Sequence, residues 1–294
     1  MKLNILQYCR KNEVDISYGY SGQTTMRSNS ELIQMPSVDT YYICQMVSRS
    51  LQEMDFLRNI EGFMGDAACS VLLGNYPKFT PLHEYIEHIV TSAIFEETEL
   101  DTEKLLDESR FHFGQKLWVD YLLEAYEFET NFMKWTKTTK ENKTVENYLS
   151  YLQDEDILPQ LNELVAKEVF HILFSDRKVL RNFGTHASYQ ILNSAPQFYP
   201  NKFTDMGYLK RAKIPQWAKD AIFHRDKGRC VQCGSDLTRL INLRNGLHFD
   251  HITALAKGGM NDVTNLQLLC ETCNLKKSDK TVTMHLNYES WYIY

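Results

Sequence analysis

Two Cys-x-x-Cys pairs, Cys230/Cys233 and Cys270/Cys273, constrain this chain more than any other feature. Two intervening residues let both sulfurs of a pair turn toward one ion, and thiolates are soft donors suited to tetrahedral coordination. A redox Cys-x-x-Cys or an iron-sulfur cluster competes with this reading. Neither finds support nearby, since there is no thioredoxin-like βαβ pattern and no closely spaced ferredoxin run. The expectation is one structural Zn²⁺ held by all four cysteines, closed to water and without a catalytic role. The 36 residues between the pairs are more than a simple zinc ribbon needs, so they must hold a structure of their own. The total of seven cysteines is odd, which fits metal better than a disulfide framework. Cys9, Cys44 and Cys69 are expected as ordinary buried or half-buried thiols.

At 294 residues and 43% hydrophobic composition the chain can bury a sizeable core and has room for two compact units. No signal-peptide pattern opens the sequence, and no uncharged apolar run reaches the roughly 18 residues a membrane span requires. A soluble cytoplasmic protein with no membrane partner is therefore expected. The net charge of −6 hides an asymmetry: from Met206 onward there are 13 Lys+Arg against 8 Asp+Glu, whereas the preceding residues carry 19 against 30. A basic C-terminal unit riding on an acidic one suits a phosphate-binding module restrained from indiscriminate contact with nucleic acid.

The first two hundred residues read mainly as helices. After a Ser37-x-Asp39 start signal, Ile43, Val47, Leu51 and Met54 recur at helical spacing. Tyr85, Ile86, Ile89, Val90, Ala93 and Ile94 form a second stripe. A third runs through Trp118, Tyr121, Leu122, Ala125, Phe128 and Phe132, and a fourth through Leu161, Val165, Val169 and Ile172. Each stripe needs a partner surface, which predicts a multi-helix packed domain. The run from Glu96 to Glu108 reads as a helix start or a solvated face, and residues 134–143 as a solvated loop. Residues 193–200, with Pro196 and Pro200, are the expected connection, placing a boundary near 205 between a helical unit (1–205) and a C-terminal unit (206–294). Pro215 suits the first turn of a helix carrying Trp217, Ala221 and Ile222, and Gly228 its end.

Between the cysteine pairs lie Leu247-His248-Phe249-Asp250-His251-Ile252, a turn around Gly258-Gly259, and Asn265-Leu266-Gln267-Leu268-Leu269, with Asn274-Leu275-Lys276-Lys277 following the second pair. Coarsely this is strand, loop, strand, helix. Hydrolysing a phosphodiester requires a base for water near neutral pH and a cation for the charge that builds on the phosphate. His251 is the candidate base, because imidazole titrates near neutrality. Neighbouring strand residues point to opposite faces, so Asp250 and His251 can serve one site only if the strand ends or bends there.

At these residues the chain resembles the HNH (ββα-metal) endonucleases, in the branch stapled by two cysteine pairs, over about residues 217–280. The resemblance implies a small α+β C-terminal ββα-metal domain with a four-cysteine zinc site, following the mainly α N-terminal domain that the apolar stripes predict; the first two hundred residues resemble no family as clearly. It implies Asp250 and Asn274 as ligands of a catalytic metal, Asn265 as the residue that pins the loop and orients His251, and DNA, double-stranded, as substrate, cut to 3′-hydroxyl and 5′-phosphate ends. The family often has histidine where this chain has Asn274. A carboxylate, an amide oxygen and waters form a hard donor set, favouring Mg²⁺ or Mn²⁺. Lys276, Lys277 and Lys280 are expected phosphate contacts, with Arg225, Arg244 and Lys257 weaker ones.

His248, two residues before Asp250, reads as a polar strand residue. The other histidines form no second metal cluster, and the aromatic tail Tyr288, Trp291, Tyr292 and Tyr294 is expected to pack on its own domain. The resulting expectation is a metal-dependent endonuclease, of a layout used in restriction and phage defence, with a helical domain that recognises, regulates or oligomerises and with a homodimer, or a partner protein that regulates activity, as its association. The competing reading is a zinc-stapled module that binds nucleic acid without cutting it, joined to a helical adaptor.

Overall fold

A computed structural model of the chain describes residues 35–36, 39–52, 63, 69–106, 116–193, 195–238 and 246–278, with side chains left aside at 69, 97–106 and 195. The described residues from Pro36 onward belong to one compact unit. Its helices are α1 (Thr40–Ser50), α2 (Cys69–Leu72), α3 (Pro81–Leu106), α4 (Trp118–Ala125), α5 (Phe132–Thr138), α6 (Val145–Asp154), α7 (Ile157–Leu173), α8 (Arg177–Asn193), α9 (Ala195–Phe198) and α10 (Gln216–Arg225). An antiparallel hairpin of β1 (Leu247–His251) and β2 (Leu266–Cys270) follows, then α11 (Glu271–Lys277). The mostly helical chain with one small C-terminal sheet is the architecture expected from the sequence.

The helical part is organised on α7, against which α1, α3 and α6 pack. The apolar stripes account for this: Ile43, Val47 and Leu51, then Tyr85, Ile86, Val90 and Ile94, then Leu161, Val165 and Val169 all lie in one buried cluster. Asp39 marks the start of α1 but does not cap it with its side chain. Its Oδ2 instead accepts the Trp118 indole N–H at 2.7 Å, tying α1 to α4. Met54, the last residue of the first stripe, lies outside the described residues.

Three local expectations are corrected. The third stripe is two helices, because the chain turns at Glu127, whose φ is 61°, and restarts where the Asn131 side chain accepts the Lys134 amide at 2.9 Å. That cap also makes residues 134–138 helical rather than a loop, with Trp135 buried. Of the two readings of the acidic run the helix start is excluded, since α3 continues unbroken through it to Leu106; the solvated face concerns side chains that beyond Glu96 lie outside those described.

Two buried polar residues in this core, Glu168 and His83, are held by specific partners. Glu168, 3% exposed, accepts from Thr40 Oγ1 at 2.5 Å and Tyr126 Oη at 2.8 Å. His83 is stacked between Phe79 and Phe170, with ring centroids 4.6 and 3.7 Å away, and its Nδ1 accepts the Thr80 amide at 2.9 Å. Burial, helped by the Lys167 charge, lowers its pKa from 6.5 to about 4. The folded state keeps His83 neutral while the unfolded chain takes up a proton. Its contribution to stability is therefore complete above about pH 6.5 and drains away as pH falls toward about 4, by about 3 kcal/mol in all. A His83→Gln variant, which keeps an acceptor for Thr80, is expected to lose correspondingly less stability than wild type between about pH 7 and about pH 4.5 in urea unfolding; equal losses would contradict this.

Two buried clusters meet at the C-terminal unit and exchange residues. Ile252 and Met260, from the loop after β1, belong to the helical cluster. Tyr76, from the turn after α2, belongs to the other, with Ala218, Ile222, Leu266 and Leu268. Phe203 and Leu209, on either side of residue 205, pair in a short antiparallel bridge and lie in the helical cluster. At the end of α10, Asp226 joins the helix to the sheet by accepting the Leu268 amide at 2.9 Å. No described helix is long and apolar enough to cross a membrane.

Candidate functional site

The four cysteines come together. One sulfur from each of Cys230, Cys233, Cys270 and Cys273 lies within 4.8 Å of every other. The Cys233 and Cys270 sulfurs are 3.8 Å apart, close to the edge of roughly 3.8 Å that a tetrahedron with Zn–S bonds of about 2.3 Å requires. Local structure delivers both pairs. After α10 ends at Arg225 and the chain turns through Gly228 (φ 62°), the Gly234 amide donates to Cys230 O at 2.8 Å and the Cys230 amide to Ser235 O at 2.9 Å, folding the first pair into a knuckle. Cys270 caps α11, its sulfur accepting the Cys273 amide at 3.4 Å, so its charge sits at a helix N-terminus. Burial pushes the Cys230 and Cys273 thiols up. Burial works to raise Cys233, but hydrogen bonds from the Ser235 hydroxyl and amide, together with those from Cys230 and Cys273, outweigh it and bring this thiol down to about 6. Four thiolates can share this volume only around a cation, and the donor set fits structural zinc.

The ββα unit is framed by this cluster. Asp250 pairs in register with Gln267, and His251, opposite Leu266, is the last residue of β1. The strand therefore ends where it must for the Asp-His pair to serve one site. Asp250 Oδ2 takes the Gln267 amide at 3.2 Å and the Lys277 ammonium at 2.9 Å, while Oδ1 has no hydrogen bond to a described residue. The Lys277 ammonium also donates to the His251 carbonyl at 2.8 Å. Lys277 was expected beside the substrate phosphate; it lies instead 2% exposed beneath the Asp-His pair, bracing both residues. Asn274 is half-buried one turn earlier on α11, on the face that Lys277 presents to Asp250. Lys276 is exposed, and Lys280 lies outside the described residues. The same holds for Cys9, Arg244, His112, His285 and the aromatic tail. Arg225 is tied down by Asp226 and by Leu266 O, and Lys257 is exposed.

Asn265 lies where it can pin the loop. Its Oδ1 accepts the Thr253 amide at 2.8 Å, and its Nδ2 donates to Thr253 O at 3.0 Å and Met260 O at 2.9 Å. The Ile252 amide donates to its carbonyl at 2.7 Å. The loop closes so tightly that a Cβ on Gly259 would sit 1.9 Å from Thr253 O. Gly258 (φ 81°) lies against α8, where a Cβ would meet Ser188 O at 2.6 Å. Because backbone cannot yield as a side chain does, Gly259→Ala is expected to cost about 3 kcal/mol in chemical unfolding. A cost under about 0.5 kcal/mol, the usual range for surface changes, would contradict the loop geometry.

His251 is 2% exposed. Its Nε2 is 3.4 Å from the Tyr76 hydroxyl, and its Nδ1 has no hydrogen-bond partner among the described residues. Burial, then the Arg211 charge, with Lys277 adding a smaller push and Asp250 opposing, lowers its pKa to about 4. The ring is therefore neutral near pH 7, the form able to accept a proton.

Tyr76, Arg211 and Asn261 were not evident from the sequence. Asn261, fully buried, holds the other two in place: its carbonyl accepts the Tyr76 amide at 2.9 Å, its Oδ1 the Ala212 amide at 3.2 Å, and its Nδ2 donates to Lys210 O at 2.8 Å. Nothing in their local sequence marks them, because they gather only through contacts as far as 185 positions apart, Tyr76 to Asn261.

No curated protein and no solved structure matches this chain. Residues 230–280 match the family model described as HNH endonuclease, a span that begins at the first clustered cysteine and contains the Asp-His pair, Asn265 and Asn274. The C-terminal part of the chain is thus an HNH segment whose ββα unit is framed by four clustered cysteines.

Proposed function

We propose that the chain is a metal-dependent endonuclease that hydrolyses DNA phosphodiester bonds, with His251 as general base. The observation that carries this reading is a neutral imidazole at the end of β1, beside Asp250, on a loop fixed through Asn265. Asp250 and Asn274 are the residues to hold a catalytic Mg²⁺ or Mn²⁺. The fit rests on the open Asp250 Oδ1 and the hard oxygen donors, with the Lys277 ammonium beside Oδ2 weakening the attraction for a dication. When bound, such an ion offsets negative charge developing on the phosphate.

The protein's own groups do the rest. His251 accepts the proton of the attacking water, Lys277 keeps Asp250 and the His251 backbone in register, and Lys276, with Lys280, holds the flanking phosphates. Placement by backbone contacts of this kind is independent of base sequence. The helical unit, taken as residues 1–205, recognises, regulates or oligomerises. A cytoplasmic role in restriction or phage defence, as a homodimer or with a partner protein that regulates activity, completes the proposal. One such centre cuts one strand at a time, so supercoiled plasmid is expected to pass through the nicked form in Mg²⁺ or Mn²⁺ and to remain intact in EDTA.

One observation favours the other reading, a module that binds without cutting. His251 is covered by Tyr76, and a lysine already occupies one oxygen of Asp250. Plasmid that is bound but never nicked in either metal would select that reading.

A further inference from the structure

Beside the HNH segment, outside residues 230–280, an open cleft of about 240 Å³ runs between the turn before Tyr76 and the hairpin at Phe203–Leu209. Its lining includes Asn75, Asn201, Lys202, Lys210 and Arg211 and no carboxylate. Lys202 and Lys210 face each other across the hairpin, the Lys210 amide donating to Lys202 O at 2.9 Å. Like charges placed opposite one another on paired strands are destabilising. Here neither ammonium, nor the Arg211 guanidinium, is paired with a described carboxylate. Asn201 O accepts Lys210 Nζ at 3.0 Å, which aims that ammonium along the lining.

The cleft is fixed to the candidate active site. Both walls hang from the buried Asn261, one through the Tyr76 amide and the other through Lys210 O and the Ala212 amide. Tyr76, which follows the cleft residue Asn75, reaches His251 Nε2. Arg211, a lining residue of the cleft, lies between Lys210 and Ala212, the two residues that Asn261 holds.

We infer that this cleft is a binding site for the phosphodiester backbone of a nucleic acid, with Lys202, Lys210 and Arg211 as its anion contacts. Pockets for whole organic ligands run from about 300 to 1,000 Å³. At about 240 Å³ and open to solvent, this one takes part of a longer ligand, a phosphate with its flanking sugars, and leaves the remainder outside. The inference deepens the nuclease reading and rests on it for what happens next: a strand anchored here is led past Tyr76 toward His251.

The test measures binding with no added Mg²⁺ or Mn²⁺, so that cutting plays no part. Anisotropy of a labelled DNA duplex, and in a second arm an RNA duplex, is followed against salt for wild type and for Lys202→Gln/Lys210→Gln. Both side chains are exposed, and their removal leaves the core untouched. The plot of log affinity against log salt is expected to become shallower by about 0.9 for each lost contact to a B-form duplex, about 1.8 for both. A Lys137→Gln/Lys140→Gln protein, with the same change of net charge on exposed positions elsewhere, is expected to keep the wild-type slope. The arm in which the slope falls identifies the backbone recognised. Slopes unchanged in both arms, an equal fall in the control protein, or no binding of either duplex by wild type would overturn the cleft. Plasmid cutting separates the two claims: cutting with unchanged slopes removes the cleft alone, and a fallen slope in a protein that never cuts removes the nuclease alone.

Discussion

Alanine in place of His251 is expected to lower the rate of plasmid nicking by about 10²–10⁴-fold, the range a positioned general base contributes. The effect should fall on chemistry, since the cationic groups expected to hold phosphate lie elsewhere, on α11 and along the cleft at Lys202 and Lys210. Because His251 is buried and its Nε2 faces the Tyr76 hydroxyl, the variant also leaves a small cavity and an unpaired phenol. That costs about 1–3 kcal/mol of stability. His251→Asn, closer in volume and able to bond Tyr76, separates the two effects. It is expected to unfold near the wild-type temperature and still to nick no faster than the alanine variant. An asparagine variant that nicks at the wild-type rate would remove His251 from the chemistry.

The second large effect concerns the four cysteines. A structural zinc site supplies on the order of 10 kcal/mol or more of binding free energy, which works as folding free energy because the unfolded chain has no preformed site. In this chain the ββα unit depends on that closure: Cys270 caps α11, and α11 carries the Lys277 that braces Asp250. Cys273→Ser is therefore expected to take bound zinc from one per chain to none and to make residues 246–278 cleavable by protease and fast in hydrogen exchange. The α7-centred core, which contains none of the four cysteines, should remain protected. A variant that keeps both its zinc and its protection would contradict a structural role for the cluster.

The parts of the site legible in the sequence are those encoded within one short stretch. Two residues between cysteines, an Asp-His pair ahead of a glycine turn, and an asparagine opening the second strand are local patterns, and local geometry is enough to bring them together. The apolar stripes of α1, α3 and α7 were legible for the same reason, since helical spacing is a property of neighbours. α5 was hidden because it is only seven residues long and its start depends on one capping side chain, Asn131, ahead of a run of lysines and threonines. The burial of Lys277 could not be read because a lysine on a short helix looks the same whether it meets solvent or a carboxylate from a strand 27 positions earlier. Tyr76, Arg211 and Asn261 were invisible for a stronger reason: their association is produced by tertiary packing of the helical part on the HNH segment.

The account's central claim, hydrolytic cutting centred on His251, is tested most directly by following supercoiled plasmid with wild type and His251→Asn side by side in Mg²⁺ and in Mn²⁺, after confirming equal zinc content and equal plasmid binding. The account predicts that wild type converts plasmid to the nicked form while the variant binds it and leaves it intact. Equal nicking by both proteins, or binding without nicking by wild type in either metal, would contradict it.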